Sequence, residues 1–224
     1  MAIGGSHDSV AVAALSSLDD PLRRQMYEFV ADADGPVSRE EAAAAAGVGR
    51  TLAAYHLDKL AEAGLLTVSY QRPPGRSGPG AGRPAKVYTP SAREVSVSVP
   101  PRAYEFLARL IVEAAERDDH VRTTVNETAY DAGRRVGADA AGDLIAALRS
   151  CGYRPAVSDD DTVILRNCPF HAVAEDHTEV VCGLNLRLIE GIVEGSRDRT
   201  ARPRLEPHPT RCCVVVHRRA ASRS

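Results

Sequence analysis

The fold of the N-terminal part is decided by residues 39–66, which read REEAAAAAGVGRTLAAYHLDKLAEAGLL. Ser38, directly before this stretch, and Glu41 form the S-x-x-E pattern of a capping box, which predicts that a helix begins here. The alanine run carries that helix to Ala46, and the two glycines that follow predict a tight turn. The stretch therefore begins with a short capped helix and a turn.

A second helix is predicted from Arg50 to Ala63. Its apolar residues recur at the spacing of one helix face, and Gly64 is placed to end it; these residues are Ala53, Leu57 and Leu60. Before the pair, Asp20-Pro21 supplies an N-cap and a helix-starting proline for a helix from Leu22 to Ala33. That helix is predicted to bury one side, made of Leu22, Met26, Phe29 and Val30. Two short helices around a glycine turn predict a helix-turn-helix.

Two predicted strands, Leu65 to Tyr70 and Lys86 to Thr89, flank a loop rich in proline and glycine and make a wing. Between residues 72 and 93 every charged residue is basic; the set is Arg72, Arg76, Arg83, Lys86 and Arg93. Such a local patch suits the phosphate backbone or the minor groove. A solvated linker is the alternative interpretation of the loop.

The second helix of a helix-turn-helix places its N-terminal residues at the base edges of the major groove. We therefore expect DNA contacts from the second helix and from the wing; the candidates are Arg50, Thr51, Ala54, Tyr55, Lys59, Arg76, Arg83 and Lys86. Asp58 on the same helix would be repelled by phosphate. His56 is equally compatible with a DNA contact and with packing beside the core.

This part of the chain resembles the winged helix-turn-helix of ArsR-type bacterial repressors, on VGRTLAAYHLDKLAEAGLL at 48–66 and GRPAKVYTP at 82–90. The resemblance covers roughly residues 10–90 and implies DNA binding by a repressor. Arsenic sensors of that family carry thiols in the DNA-binding helices, whereas the first cysteine here is Cys151. Any sensing is therefore expected in the second half.

Composition sets limits on the whole chain. With 224 residues and 44% hydrophobic residues, two domains are expected. A net charge of -2 gives no global nucleic-acid signal, so the basic patch must be local. No secretion signal and no long apolar run are evident, and we expect a soluble, cytoplasmic protein. Five cysteines, four of them in the last sixty residues, do not resemble a disulfide framework and read as metal ligands or redox thiols.

The second half is expected to be α+β. Helices at Arg102–Arg117 and Val121–Val136 would form a linker and dimerisation region, with packing inside one chain as the alternative. A third helix, Asp143–Cys151, is followed by a hairpin, a helix at Thr178–Gly195 and two strands, Arg202–Glu206 and Cys212–Val216. The predicted organisation is a winged helix-turn-helix domain at 1–94, the helical region at 95–137 and a cysteine-containing sensor domain at 138–224.

Three cysteines, Cys168, Cys182 and Cys212, would bring thiolates from a turn, a helix and a strand end to one site. Soft thiolates suit zinc or an iron-sulfur cluster. The spread of the thiols and the Cys168-Pro169 pair favour the cluster, because a second C-x-x-C knuckle is absent. Zinc held by the same thiols and one histidine stays an alternative. A less favoured alternative is an enzyme with Cys168 as nucleophile and His171 or His177 as base, and we expect no enzyme.

The segment from about 152 to 216 resembles the sensor domain of SufR-type iron-sulfur regulators, on Asn-Cys-Pro-Phe at 167–170, Val-Cys-Gly at 181–183 with Asn185, and Cys-Cys-Val at 212–214. The resemblance implies a 4Fe-4S cluster on Cys168, Cys182 and Cys212 and control of genes for cluster assembly or for redox or nitric oxide responses. The fourth ligand is open; the candidates are Cys213, His171, His177, His208 and a non-protein ligand. Strand alternation argues against Cys213, since neighbouring residues of a strand point to opposite faces.

Overall fold

The computed structural model of the chain describes residues 8–71, 84–92, 94–97, 103–208 and 211–218. The chain divides into two compact units, Met1–Arg102 and Ala103–Ser224. The helices of the predicted linker region therefore belong to the same unit as the cysteine-containing part. Among the described residues, no helix combines the length and the apolarity that crossing a membrane requires.

In the described residues of the first unit there are four helices and a small sheet: α1 (Asp8–Ser17), α2 (Pro21–Asp32), β1 (Val37–Ser38), α3 (Arg39–Ala46), α4 (Arg50–Glu62), β2 (Leu66–Gln71) and β3 (Ala85–Pro90). The sheet has the order β1-β3-β2 and is antiparallel throughout. Tyr88 of the central strand β3 lies opposite Val37 of β1 and Val68 of β2. The two wing strands are confirmed, whereas the short strand β1 was not predicted.

Local capping explains where these helices begin and end. Asp20 accepts a hydrogen bond from the backbone N–H of Arg23 at 2.9 Å. The predicted capping box is present, because Ser38 Oγ accepts from the N–H of Glu41 at 3.2 Å while the Glu41 carboxylate accepts from the N–H of Ser38 at 2.7 Å. Gly47, at φ 66°, ends α3 in the left-handed conformation that glycine adopts without steric cost.

The core of the first unit is formed by the predicted apolar faces. Fully buried side chains from α2, α4 and β3 meet there; they are Met26, Val30, Ala53, Leu57, Leu60 and Tyr88. The prediction for Phe29 was wrong, because this side chain is 37% exposed. Met26 and Val30 lie one helical turn apart and fill the core face, which leaves Phe29 at its margin.

The second unit contains α5 (Tyr104–Arg117), α6 (Asp119–Asp139), α7 (Leu144–Ser150), β4 (Pro155–Val157), β5 (Val163–Leu165), α8 (His171–Ala174), α9 (Thr178–Gly195), β6 (Ala201–Leu205) and β7 (Val214–Arg218). Its sheet is antiparallel with the order β4-β5-β7-β6. The α+β prediction and the bounds of α9 agree with the structure. Helix α8 was not predicted.

A sheet-and-helix core holds this unit together. Helices α7 and α9 pack with the strands around completely buried side chains; these include Leu148, Val163, Leu165, Ile189, Ile192, Val214 and Val216. Strand β5 enters this core directly before Cys168, and β7 enters it directly after Cys213. The core therefore fixes two of the three segments that carry the cysteines.

Helices α6 and α9 approach each other through glycine. Each helix contributes a G-x-x-x-G pair, and the four residues are Gly133, Gly137, Gly191 and Gly195. A Cβ at any of them would overlap a backbone carbonyl oxygen of the opposite helix. Because only the absence of a side chain permits this distance, the glycines determine how closely α9 lies against α6.

Candidate functional sites

The exposed edge of α4 carries most of the side chains predicted to contact DNA. Tyr55 is 53% exposed, Thr51 is exposed and Ala54 is half-buried. The Arg50 side chain is 68% exposed and forms an ion pair with Glu40 at 2.8 Å, between Nε and Oε1. An exposed ion pair of this kind contributes little to stability, so the guanidinium is available for another partner.

His56 lies on the inner side of α4 and is 6% exposed. Its ring meets that of Tyr55 edge to face, with the centroids 5.2 Å apart. Of the two readings of this residue, packing beside the core is the one that its burial supports.

Asp58 on α4 is bound by the wing. Its carboxylate accepts hydrogen bonds from the Lys86 ammonium and, at 2.6 Å, from the Tyr88 hydroxyl, whose oxygen also accepts from Arg39 Nε at 3.3 Å. Partial burial opposes ionisation of Asp58, but the hydrogen bonds from Lys86 and Tyr88 outweigh it and lower its pKa. The expected repulsion of phosphate is therefore reduced, because a cation is bound to the carboxylate.

The predicted wing contacts divide into two groups. Lys86 is described, and its ammonium is bound to Asp58 rather than free. Arg76 and Arg83 lie outside the described residues. Lys59, further along α4, is paired with Glu62 at 2.7 Å. Among the described candidates, Arg50, Thr51 and Tyr55 thus form the exposed group at the start of α4.

The cysteines of the second unit come from three segments. Cys168 follows β5, and Cys182 lies in the second turn of α9. Cys212 and Cys213 lie in the bend before β7, where the N–H of Cys212 donates to the carbonyl of Leu165 at 3.0 Å. Cys182 and Cys212 are buried, and Cys168 and Cys213 are half-buried. The prediction that Cys212 begins a strand was wrong, since β7 starts at Val214.

Cys168 and Cys212 form one pair of thiols. Cys168 donates a hydrogen bond to the sulfur of Cys212, and this bond, together with burial, raises the pKa of Cys168. The same hydrogen bond lowers the pKa of Cys212 to about 7, despite burial, with help from the N–H of Val214 and the amide of Asn185. Cys212 is therefore the thiol of this pair that loses its proton first.

Cys182 and Cys213 form a second pair. Burial raises the pKa of Cys182 to about 12, and its hydrogen bond to the Cys213 sulfur acts in the same direction. Cys182 also interacts electrostatically with Cys212, and Cys168 with Cys182. All four cysteines are thus neighbours. The argument from strand alternation against Cys213 does not apply, because the bend before β7 lets adjacent residues face different thiols.

Two polar side chains support the thiols. Asn185, on α9, is 1% exposed and donates from Nδ2 to the sulfur of Cys212 at 3.2 Å. The Tyr153 hydroxyl is hydrogen-bonded to Oδ1 of Asn185. Neither contact was predicted, although Asn185 lies three residues after Cys182 and so on the same side of the helix.

The described residues contain no group of three or more His, Cys, Asp or Glu side chains placed around a single metal ion. The thiols are instead arranged as two pairs. An iron-sulfur cluster is larger than one ion and is bound at separate irons by four cysteines, so its ligands need not surround one point. The number and type of donors here match such a cluster. Cys151 does not belong to either pair, and burial raises its pKa.

The candidate histidines have carboxylate partners. His171 lies 3.2 Å from Glu175, between Nε2 and Oε1, and His177 lies 2.9 Å from Glu116, between Nδ1 and Oε1. His208 is exposed. In the enzyme alternative, one of these two histidines would activate Cys168, but each is already paired with a carboxylate. A thiol with a raised pKa is a weak nucleophile.

The segment between Cys168 and Cys182 is attached to α5. Arg109 donates to the carbonyl of Ala172 at 2.6 Å and forms an ion pair with Asp176. The side chain of His177, 13% exposed, reaches Glu116 on the same helix. These contacts join α8 and the start of α9 to the helix that opens the second unit.

Comparison with known proteins identifies the first unit. A family model described as a helix-turn-helix domain matches residues 18–69, which run from two residues before the α2 cap, Asp20, into β2. The chain therefore carries a helix-turn-helix domain, and with β2 and β3 the unit is a winged helix-turn-helix. This is the DNA-binding part of a transcription regulator. Neither the curated proteins nor the solved structures gave a significant match to the chain.

Proposed function

We propose that the protein is a repressor whose affinity for its operator is controlled by a 4Fe-4S cluster bound by Cys168, Cys182, Cys212 and Cys213. The observation that carries the proposal is that three separate segments bring four cysteines together in the same chain as a winged helix-turn-helix. When bound, a cluster of this type supplies a centre that oxidants, nitric oxide or iron starvation can alter or remove. Genes of cluster assembly or of the redox and nitric oxide responses are the proposed targets.

Cys213 is the proposed fourth ligand. Its sulfur already accepts a hydrogen bond from Cys182, whereas His171 and His177 are held by carboxylates. Burial of Cys182 and Cys212 would protect the bound group from water.

We propose that a change at the cluster is transmitted through α5 to the first unit, which is called the DNA-binding head below. The segment that joins two ligands is held by Arg109 and Glu116 of this helix, and α5 begins directly after the chain leaves the first unit. A change in the cysteine-bearing segment would therefore be passed to α5. The free energy of this coupling would appear as a difference in operator affinity between the loaded and the empty protein.

The same helix supplies a surface for a homodimer, which symmetrical operators favour. Apolar side chains at helical spacing are exposed along α5; they are Tyr104 (71%), Leu107 (54%) and Ile111 (49%). Charges of both signs lie beside them, as is usual at the rim of an interface. A second copy of the chain that covered this stripe would join two DNA-binding heads.

The test is iron and sulfide analysis of protein purified without oxygen, together with its visible absorption spectrum. We expect about four irons and four sulfides per chain and a brown colour. Colourless, iron-free protein would overturn the proposal, and about one zinc per chain would support the zinc alternative. Cys213→Ser should lower the iron content. The matched control is Cys151→Ser, which changes a half-buried cysteine outside both pairs and should leave the iron content unchanged.

A further inference from the structure

Asn185 is a buried polar residue whose side-chain amide is hydrogen-bonded to Cys212 and to Tyr153. It projects from α9 one turn after Cys182 and is 1% exposed, so water does not satisfy its amide. Its Nδ2 lies 3.2 Å from the sulfur of Cys212, and its Oδ1 is bound to the Tyr153 hydroxyl. An apolar residue would fill this place in the core without needing partners.

Tyr153 fixes which end of the amide faces the sulfur. The Tyr153 hydroxyl donates a hydrogen bond to the carbonyl oxygen Oδ1 of Asn185. The NH₂ group is therefore directed at Cys212, where it can only donate.

Cys212 also receives the backbone N–H of Val214, at 3.5 Å from its sulfur. Two N–H donors, one from a side chain and one from the backbone, are thus directed at the sulfur of Cys212. Donors of this kind withdraw negative charge from a ligating sulfur. They favour the reduced state of an iron-sulfur centre and hold the ligand in place.

We propose that Asn185, oriented by Tyr153, is the residue that positions Cys212 and sets the reduction potential and retention of the cluster. This inference rests on the proposed function, because it needs the cluster to be bound. It adds a residue that is not a ligand and that acts only through the sulfur of Cys212. The backbone N–H of Val214 remains as the second donor when the side chain of Asn185 is changed.

The experiment compares reconstituted full-length variants by two readouts, the midpoint potential of the bound cluster and the rate at which an iron chelator removes it. Asn185→Leu keeps the approximate volume and removes the donor, and we expect a more negative potential and removal roughly ten- to a hundredfold faster. Tyr153→Phe removes only the hydroxyl that orients the amide. It should shift both quantities in the same direction by a smaller amount.

Ile189→Val is the matched control, because Ile189 is fully buried in the same core one turn further along α9. It should lower the melting temperature without shifting the potential. If Ile189→Val shifts the potential as far as Asn185→Leu does, or if Tyr153→Phe leaves it unchanged, the inference is overturned while the proposed function stands. Wild-type protein that binds no cluster overturns both. If Asn185→Leu fails to fold, Tyr153→Phe decides the question alone.

Discussion

The close contact between α6 and α9 predicts that alanine substitutions at two glycines of α9 have opposite effects on stability. A Cβ at Gly191 would overlap the carbonyl oxygen of Tyr130 and lie 3.0 Å from the backbone N of Arg134. A Cβ at Gly183 would meet no atom within 4 Å. Gly191→Ala must therefore move two backbones apart, whereas Gly183→Ala changes only the conformational freedom of the chain.

The magnitudes follow from these contacts. Replacing glycine by alanine in a helix gains about 0.5–1 kcal/mol, which is the whole effect expected at Gly183. Overpacking costs typically about 1–3 kcal/mol and more where the obstacle is backbone, which cannot rotate away. We expect Gly191→Ala to lose about 2–3 kcal/mol net. For a unit of this size, that lowers the melting temperature by about 8–12 °C, whereas Gly183→Ala raises it by about 2–4 °C.

Scanning calorimetry of the cluster-free full chain measures both variants. The shift is expected in the unfolding of the second unit, which contains α6 and α9. Equal melting temperatures for Gly191→Ala and Gly183→Ala would refute the close packing of α6 against α9.

Three further predictions concern function. Arg50→Ala and Tyr55→Ala should each weaken operator binding by about 1–3 kcal/mol, a factor of about 5–150, and leave the iron content unchanged. Fluorescence anisotropy measures the affinity, and normal binding would mean that α4 is not the helix in the groove. Leu107→Glu should convert dimer to monomer in sedimentation experiments without loss of helical signal, since this side chain is exposed; an intact dimer would exclude the α5 surface. Arg109→Gln should keep the iron content but bring the operator affinities of loaded and cluster-free protein closer together. If the ratio of these two affinities stays as in the wild type, transmission through Arg109 is excluded.

Sequence patterns predicted the elements that depend on neighbours along the chain. The capping box at Ser38, the proline start of α2 and the apolar spacing of α4 are local signals, and each has its expected structure. The wing strands could be predicted for the same reason, because β-branched and aromatic residues are bounded by a loop rich in glycine and proline.

What the sequence did not predict depends on tertiary contacts. The glycines of α6 and α9 have a meaning only when each helix is known to lie against the other. Phe29 has the periodicity of a core residue but lies where Met26 and Val30 have already filled the space. Helix α8 is four residues long and has no side-chain cap, so no local pattern marks it.

The cysteine site was predicted in part for a similar reason. Its segments could be identified from Cys168, Cys182 and Cys212, and the structure brings these residues together. The argument from strand alternation against Cys213 does not hold, because Cys213 lies in the bend before β7. The hydrogen bond between Tyr153 and Asn185 could not be predicted, since the two residues are separated by thirty-two residues and meet only in the folded core.

The bond network of Asp58, Lys86, Tyr88 and Arg39 has a consequence for how any signal reaches DNA. These hydrogen bonds connect α4, the helix predicted to lie in the major groove, to the base of the wing and to the start of α3, and Tyr88 is completely buried at their centre. The angle between helix and wing is thus set by the head alone. On the proposed function, the head is a rigid reader of a half-site, and what a signal alters is the distance and tilt between two such readers. A regulated operator should then lose sensitivity to the signal when its two halves are separated, while each half keeps its own weak affinity.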